Sequence, residues 1–424
     1  MQPSKAYRNY VLFMLLLVYL FSLIDRQILA VLIEPIRTDL NLSDTEIGLL
    51  SGLAFGLLYA TMAVPLSRLG DRWSRRSLIG ICLAAWSVST GLCGAANSFL
   101  HLFAARVAVG TGEAGAGPSS QSLIADYFPP ERRATAMGIY SMGIFVGAGL
   151  GLALGGWLAS LYGWRGAFVA VAIPGLLLSL LFRLTVREPV RGQFDAPAAT
   201  DAVQPSFTQS FAIFWRIKPL VFAGFGLGFS VFAVQSLLNW LPSFMARYHG
   251  MNPMEAGGKI GPIVAIMGTI GVVSGGLVSD RLSRRDRRNS PRMMALATVL
   301  MVPAAITALL SESQTMLLGA LAVTFFLTAV VSGPTFGLIQ NLAPISLRAF
   351  SAAMVGLIAV LLGNALGPFL TGLMSDVLAS QGVEQSLRWS MVVSICLSGL
   401  GALSYLQAAA RLDAEEVFSS QPGF

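Results

Sequence analysis

The chain has 424 residues, of which 55% are hydrophobic and 12% charged, with a net charge of +7 and a mean hydropathy of +0.70. Soluble globular chains carry roughly 25% charged residues, so this composition cannot build a water-facing surface. A soluble enzyme, a disordered scaffold and a disulfide-stapled secreted module are excluded, and an integral membrane protein remains.

A membrane helix needs roughly 20 apolar residues, so with connections the length accommodates about twelve crossings. Apolar runs fall at 10–35, 45–68, 77–96, 99–127, 133–161 and 165–187, then at 219–246, 256–280, 291–311, 314–341, 347–379 and 388–410. They are apolar on all faces, which suits helices in lipid and not alternating barrel strands. The first run is too long for a cleavable leader, and the head before it carries only Lys5 and Arg8, so it reads as a span. Cys82, Cys93 and Cys396 sit in apolar runs without ligand spacing, and His101 and His249 lie far apart near span ends. No metal and no cofactor is expected.

With the N-terminus placed in the cytoplasm, 21 of the 28 Lys and Arg residues fall in inward segments and five in outward ones; Arg26 and Arg106 lie inside apolar runs. That asymmetry predicts both termini in the cytoplasm, and it explains the basic charge without nucleic acid. A polar stretch, 191–218, separates an N-terminal bundle over 1–190 from a C-terminal bundle over 219–424. Its Gln193–Pro205 part reads as flexible. Beyond it, Phe207, Phe211, Phe214 and Trp215 recur at helical spacing beside Arg216 and Lys218, which suits a helix on the inner membrane surface; a plain tether is the alternative.

The flanks of that linker repeat each other. Asp71, Arg72, Arg75 and Arg76 match Asp280, Arg281, Arg284 and Arg285 at an offset of 209 positions (71 to 280). At an offset of 216 (147 to 363), Gly147, Leu150, Gly151 and Gly156 match Gly363, Leu366, Gly367 and Gly372. The expected fold is therefore an all-α membrane protein of twelve transmembrane helices in two pseudo-symmetric six-helix bundles, of the kind that rock about a central cavity.

In these residues the chain resembles the major facilitator superfamily over essentially its whole length. The family's loop between the second and third spans survives here in its charges, with Ser67 and Ser74 at the two glycine positions, while Gly276 keeps the first glycine in the second half. By that resemblance both loops, Asp71/Arg72/Arg75/Arg76 and Asp280/Arg281/Arg284/Arg285, act as cytoplasmic charge latches. Two further stretches are similar to the spinster-like branch: Ser22-Leu23-Ile24-Asp25-Arg26, and Arg106 followed by Gly110, Gly112, Glu113 and the Ala125–Arg133 segment. The organic-anion/proton symporters share much of this pattern. The spinster resemblance implies export of lysophospholipids or sphingosine-phosphate-like lipids.

Four charges interrupt the apolar runs: Asp25, Arg26, Arg106 and Glu113. At a helix centre each costs about 2.5–3.5 kcal/mol on insertion scales, so all four should face the interior and find partners. Asp25 and Glu113 are read as proton carriers, with Arg26 and Arg106 as switching counter-ions and headgroup ligands; a static packing cluster is the alternative. Gly110, Gly112, Gly115 and Gly117 should let the first span approach the fourth. At the 209 offset Asp25 and Arg26 become Val234 and Gln235, so the second half offers a neutral lining instead, with Gln235, Asn239, Thr335 and Asn364 as candidates. Phe232, Phe325 and Phe336 are candidates for a tail path, and Gly333 beside Pro334 for a hinge.

The sequence thus predicts a monomeric, proton-coupled alternating-access transporter of an anionic amphiphile in a bacterial inner membrane. A proton-coupled transporter of small organic anions is the alternative. No nucleophile–base pair, metal triad or phosphate loop marks an enzyme.

Overall fold

The computed structural model describes residues 4–194, 206–344 and 347–419. Among them every regular element is helical. The first crossing is α1 (Lys5–Leu40), started by the Ser4 hydroxyl on the Tyr7 amide and ended by Asn41 in the left-handed conformation. A capping box of Ser43 and Glu46 opens α2 (Asp44–Gly48), which passes through a π turn (Leu49–Leu53) into α3 (Ala54–Arg72). Then come α4 (Arg75–Gly94), capped by Ser74, and α5 (Phe99–Glu113), capped by Ser98. The short α6 (Ala116–Tyr127) continues α5 after a break, and α7 (Pro130–Thr185) follows.

α7 is two helices in one. Gly163 at φ 67° and ψ 177° lies outside helical geometry, and this backbone turn, which glycine accepts without strain, sends the chain back across. The joint falls between the runs predicted at 133–161 and 165–187.

A second capping box, Ser206 with Gln209, opens α8 (Phe207–Arg216), the stretch expected to lie on the membrane surface. The flexible part expected at Gln193–Pro205 lies, from 195 onward, outside the described residues, as does the Phe207 side chain. The second half runs through α9 (Lys218–His249), α10 (Pro253–Ser283), α11 (Asn289–Leu310), α12 (Gln314–Val330), α13 (Ser332–Leu342), α14 (Arg348–Ile358), a π turn (Ala359–Ala365), α15 (Leu366–Ser380), α16 (Ser386–Cys396) and α17 (Gly399–Ser419).

Ten helical segments among the described residues are long and apolar enough to cross a bilayer. Dividing the 51-residue Thr135–Thr185 segment at Gly163, and adding the charge-bearing α5–α6 rod, accounts for the positions of the twelve expected crossings. Large apolar side chains stay on the outside, as Leu184 does at 73% exposure, which water would not tolerate over so many helices but lipid does. The chain is an integral, multi-pass, all-helical membrane protein.

Two compact units divide it: residues 1–200 with 239–265, and residues 201–238 with 266–424. The first is cored by Trp86, Tyr127, Leu123 and Phe182. Gly147, Gly151 and Gly155 of α7 bring α1 against it: a Cβ on Gly151 would stand 2.8 Å from the Gln27 Cβ and 2.9 Å from the Ile24 Cα. Within the second unit, Gly363 and Gly367 meet Val231 and Phe232 in the same manner.

The repeat extends to another pair of elements. Gly117-Pro118-Ser119 at the start of α6 reappears, 216 positions on (117 to 333), as Gly333-Pro334-Thr335 at the start of α13. Both short helices continue a longer one after a break, α5 before α6 and α12 before α13.

Candidate functional site

The four charges of the apolar runs gather inside the first unit. Successive helical residues point about 100° apart, so Asp25 and Arg26 leave α1 in different directions. Arg26 turns toward the end of α5, where its Nε lies 2.8 Å from Glu113 Oε2. Ser22, one turn earlier on the same face, donates its hydroxyl to that same oxygen at 2.7 Å. The Arg26 guanidinium also stacks over Phe55 at 4.4 Å and Tyr59 at 5.0 Å, both on α3.

Asp25 faces α4 instead, and accepts from the Thr90 hydroxyl at 3.2 Å. Arg106 is buried to 2% exposure; its Nη1 reaches the Asp25 carbonyl at 3.5 Å and its guanidinium lies 5.8 Å from the Phe55 ring. It forms no ion pair among the described residues. Asp25 Oδ1 and Glu113 Oε1 are buried oxygens without a hydrogen-bond partner, each with its sister oxygen engaged. The cluster thus contains one carboxylate compensated by an arginine, one carboxylate bonded to a hydroxyl, and one spare guanidinium.

The glycines of the α5–α6 rod, expected to admit the first span, admit the second and third instead. A Cβ on Gly110 would meet the Phe55 carbonyl at 2.8 Å, and one on Gly112 would meet Trp86 at 2.9 Å. The first span is received by the α7 glycines, because they, and not those of α5, lie along its length.

At the Asp71–Arg76 loop the charges are sorted unequally. Arg75 is buried and central: its Nη1 lies 2.5 Å from Asp126 Oδ2 and donates to Ser122 Oγ at 2.8 Å, while its Nε reaches Glu188 Oε1 at 3.0 Å. Glu188 also accepts from the Ser74 hydroxyl at 2.9 Å and the Arg76 amide at 2.8 Å. Burial opposes the charge of Glu188, but the Arg76 amide, the Arg75 guanidinium and the Ser74 hydroxyl outweigh it and hold the carboxyl below its usual range. Arg72 stays exposed, and the Asp71 side chain lies outside the described residues.

The second loop does not repeat this latch. Among the described residues Asp280, Arg281, Arg284 and Arg285 make no side-chain hydrogen bond or ion pair. The reason lies in the partners: Asp126 and Glu188 belong to the first half alone.

Of the neutral candidates, Thr335 is corrected. It has no exposed surface; its hydroxyl bonds the Val331 carbonyl at 2.8 Å and lies 3.2 Å from the Tyr405 hydroxyl, so it packs helices together. Phe232 and Phe325 are likewise almost wholly buried, whereas Phe336 is exposed. Asn364 is half-buried in the π turn of residues 359–365. That turn closes just before Pro368, which has no N–H to give the carbonyl one turn back. Gln235 falls in the second unit and Asn239 in the first. Gly333, where a hinge is expected, is the second residue of α13, two positions past the break at Val331.

Sequence reasoning missed a further cluster. Arg247, at the end of α9, grips Asp44 through two hydrogen bonds of 2.6 and 2.8 Å and Glu34 through one of 2.6 Å. Only the Glu34–Arg37 spacing of three hinted that charges there pair. Glu188, which falls just before the linker, and Asp126 escaped notice as latch partners for the same reason: their bonds to Arg75 close across 113 and 51 positions (75 to 188 and 75 to 126). No group of three potential metal ligands occurs among the described residues.

Comparison with known proteins bears on this geometry. The family model described as Major Facilitator Superfamily matches residues 15–368. An MFS-type efflux pump of Mycolicibacterium smegmatis is 32% identical over 94% of this chain and 91% of its own. A probable L-galactonate transporter of Escherichia coli K12 is 25% identical over 93% and 88%. Among solved structures, a bacterial homologue of the human lysosomal transporter spinster, inward-facing and unoccupied, superimposes with a TM-score of 0.89 at 30% identity, over 97% of this chain and 99% of that one.

Proposed function

Since this chain belongs to the major facilitator superfamily and is a transporter of that fold, we propose that it couples protons to the movement of an anionic amphiphile such as a lysophospholipid. The observation that carries the coupling is the buried cluster: Glu113 shares Oε2 between Arg26 and Ser22, while Asp25 takes its hydrogen bond from Thr90. Protonating Glu113 would remove the charge that holds Arg26, and the freed guanidinium could take a substrate phosphate against Phe55 and Tyr59. Arg106, already at the Asp25 backbone, is the counter-ion ready for Asp25 when it gives up its proton. Each unpartnered carboxylate oxygen is a place for a transported proton.

The substrate class rests on the spinster likeness and on the asymmetry of the halves, charged in the first and neutral in the second. In this reading Gln235 and Asn364, both of the second unit, offer neutral polar groups to the path of an apolar tail. A two-bundle arrangement joined by a cytoplasmic linker, both termini in the cytoplasm of a bacterial inner membrane and a monomeric working unit complete it. The likeness to a galactonate transporter favours a second reading, in which Arg26 binds the carboxylate of a small acid sugar.

Proteoliposomes with an imposed pH difference separate the readings. Labelled lysophospholipid should move faster down the gradient than without it, and Asp25→Asn or Glu113→Gln should abolish the acceleration. Gradient-driven movement of labelled galactonate instead would select the second reading. Acceleration unchanged in both variants would reject proton coupling through this cluster.

A further inference from the structure

A cavity of about 480 Å³ opens in the second unit, where α10, α11, α13 and Leu412 of α17 meet. It lies beside the Asp280–Arg285 loop, on the side that the arginine count assigns to the cytoplasm. Arg284, Arg287 and Asp280 stand on its rim, Ser279 and Ser290 share a 2.6 Å hydrogen bond within it, and Leu338, Leu342 and Leu412 form an apolar wall.

The repeat explains why there is space. Arg284 is the counterpart of Arg75 at the 209 offset, and α13 is the counterpart of α6 at the 216 offset. In the first half Arg75 is buried against Ser122 and Asp126 of α6. The matching positions of α13 are Leu338 (122 to 338) and Leu342 (126 to 342), and both line the cavity. The guanidinium has been kept while its carboxylate and hydroxyl partners have been replaced by leucine, and Arg284 is left exposed without an ion pair among the described residues.

We propose that this cavity binds a phosphate oxyanion, which supplies to Arg284 the negative charge that Asp126 supplies to Arg75. Arg284, unlike Arg75, has no carboxylate paired with it among the described residues, and arginine's planar donors suit two phosphate oxygens at once. The Ser279–Ser290 hydroxyl pair, one O–H of which is used in their mutual bond, offers one further donor, and the leucine wall accepts apolar atoms beside the phosphate. The oxyanion can come from the headgroup of an anionic phospholipid or from free inorganic phosphate. The site is separate from the transport cluster and does not depend on the proposed substrate.

The test uses the full chain in alkyl maltoside micelles, which contain no phosphate, with thermal unfolding followed in the presence of phosphatidylglycerol or of inorganic phosphate. Binding should raise the midpoint by roughly 2 °C. A rise with phosphatidylglycerol alone identifies the lipid headgroup as the source, and a rise with inorganic phosphate identifies the soluble ion. In either case the double variant Arg284→Ala/Arg287→Ala should lose the rise. Leu342→Asp, which restores the first half's carboxylate, should lose it too while melting at or above the wild-type midpoint. No rise with either additive, or an equal rise in the arginine double variant, overturns the proposal even if Leu342→Asp fails to fold.

Discussion

Most charges taken from water among the described residues have an opposite charge on a neighbouring segment, whereas Arg106 has the Asp25 carbonyl instead and Asp25 the Thr90 hydroxyl. Arg26 and Glu113 form an ion pair of 2.8 Å, Arg75 is shared between Asp126 and Glu188, and Arg247 between Asp44 and Glu34. Glu188 lies just past the end of α7, where the effect of its partners can be read in solution. Its carboxyl is held below the ordinary value of 4.5, so the folded chain binds fewer protons there than the unfolded chain does. The stabilisation is therefore complete above about pH 4.5, the unfolded value, and is lost as pH falls through the lower folded value. Thermal unfolding from pH 6 downward should show the wild-type midpoint dropping more steeply below about pH 4.5 than that of Glu188→Gln. Parallel profiles would show that the three contacts add nothing to the folded state.

Among the helices, position is set by small residues and by interruptions. α1 carries both Asp25 and Arg26, and it is seated by Gly147, Gly151 and Gly155 of α7. Gly151→Ala would place a methyl 2.8–2.9 Å from Gln27 and Ile24, closer than carbon atoms tolerate. The helices must separate, at a cost of about 1–3 kcal/mol. Because Gln27 and Ile24 flank the charged pair, that variant should lose proton-driven transport more than it loses expression, measured by flux per folded protein. Full activity would show that α1 is positioned from elsewhere. Interruptions are equally purposeful: the α5–α6 break follows Glu113 directly, and a π turn holds Asn364. Interrupted membrane helices leave backbone groups in need of partners, which is why such breaks occur at binding sites.

For the molecule as a whole, much is legible in sequence because lipid imposes strong rules. Run length places the crossings, and the Gly163 turn, embedded in one long helical stretch, falls where two apolar runs part. The repeat of Asp71–Arg76 in Asp280–Arg285 is legible as well. Partnership is not. The sequence singles out Asp25, Arg26, Arg106 and Glu113 by their cost, but only three-dimensional packing shows that Glu113 takes Arg26, and that Arg106 takes a backbone carbonyl. Equal loop motifs also suggest equal latches. They differ because Leu338 and Leu342 stand where the first half has Ser122 and Asp126, a change outside the motif that leaves its arginine in place. Thr335 misleads for a similar reason: a hydroxyl in an apolar helix can bond its own preceding turn, as this one does to Val331, and need not face a cavity.

Whether Asp25 and Glu113 exchange protons as substrate crosses is decided by following protons and substrate together in weakly buffered proteoliposomes, with a pH-sensitive dye and a labelled lysophospholipid. The wild-type protein should move protons in fixed proportion to lipid. Asp25→Asn and Glu113→Gln should still exchange lipid for lipid across the membrane while moving no protons. Proton movement that persists in proportion to lipid in both variants would mean that these two carboxylates are not the carriers.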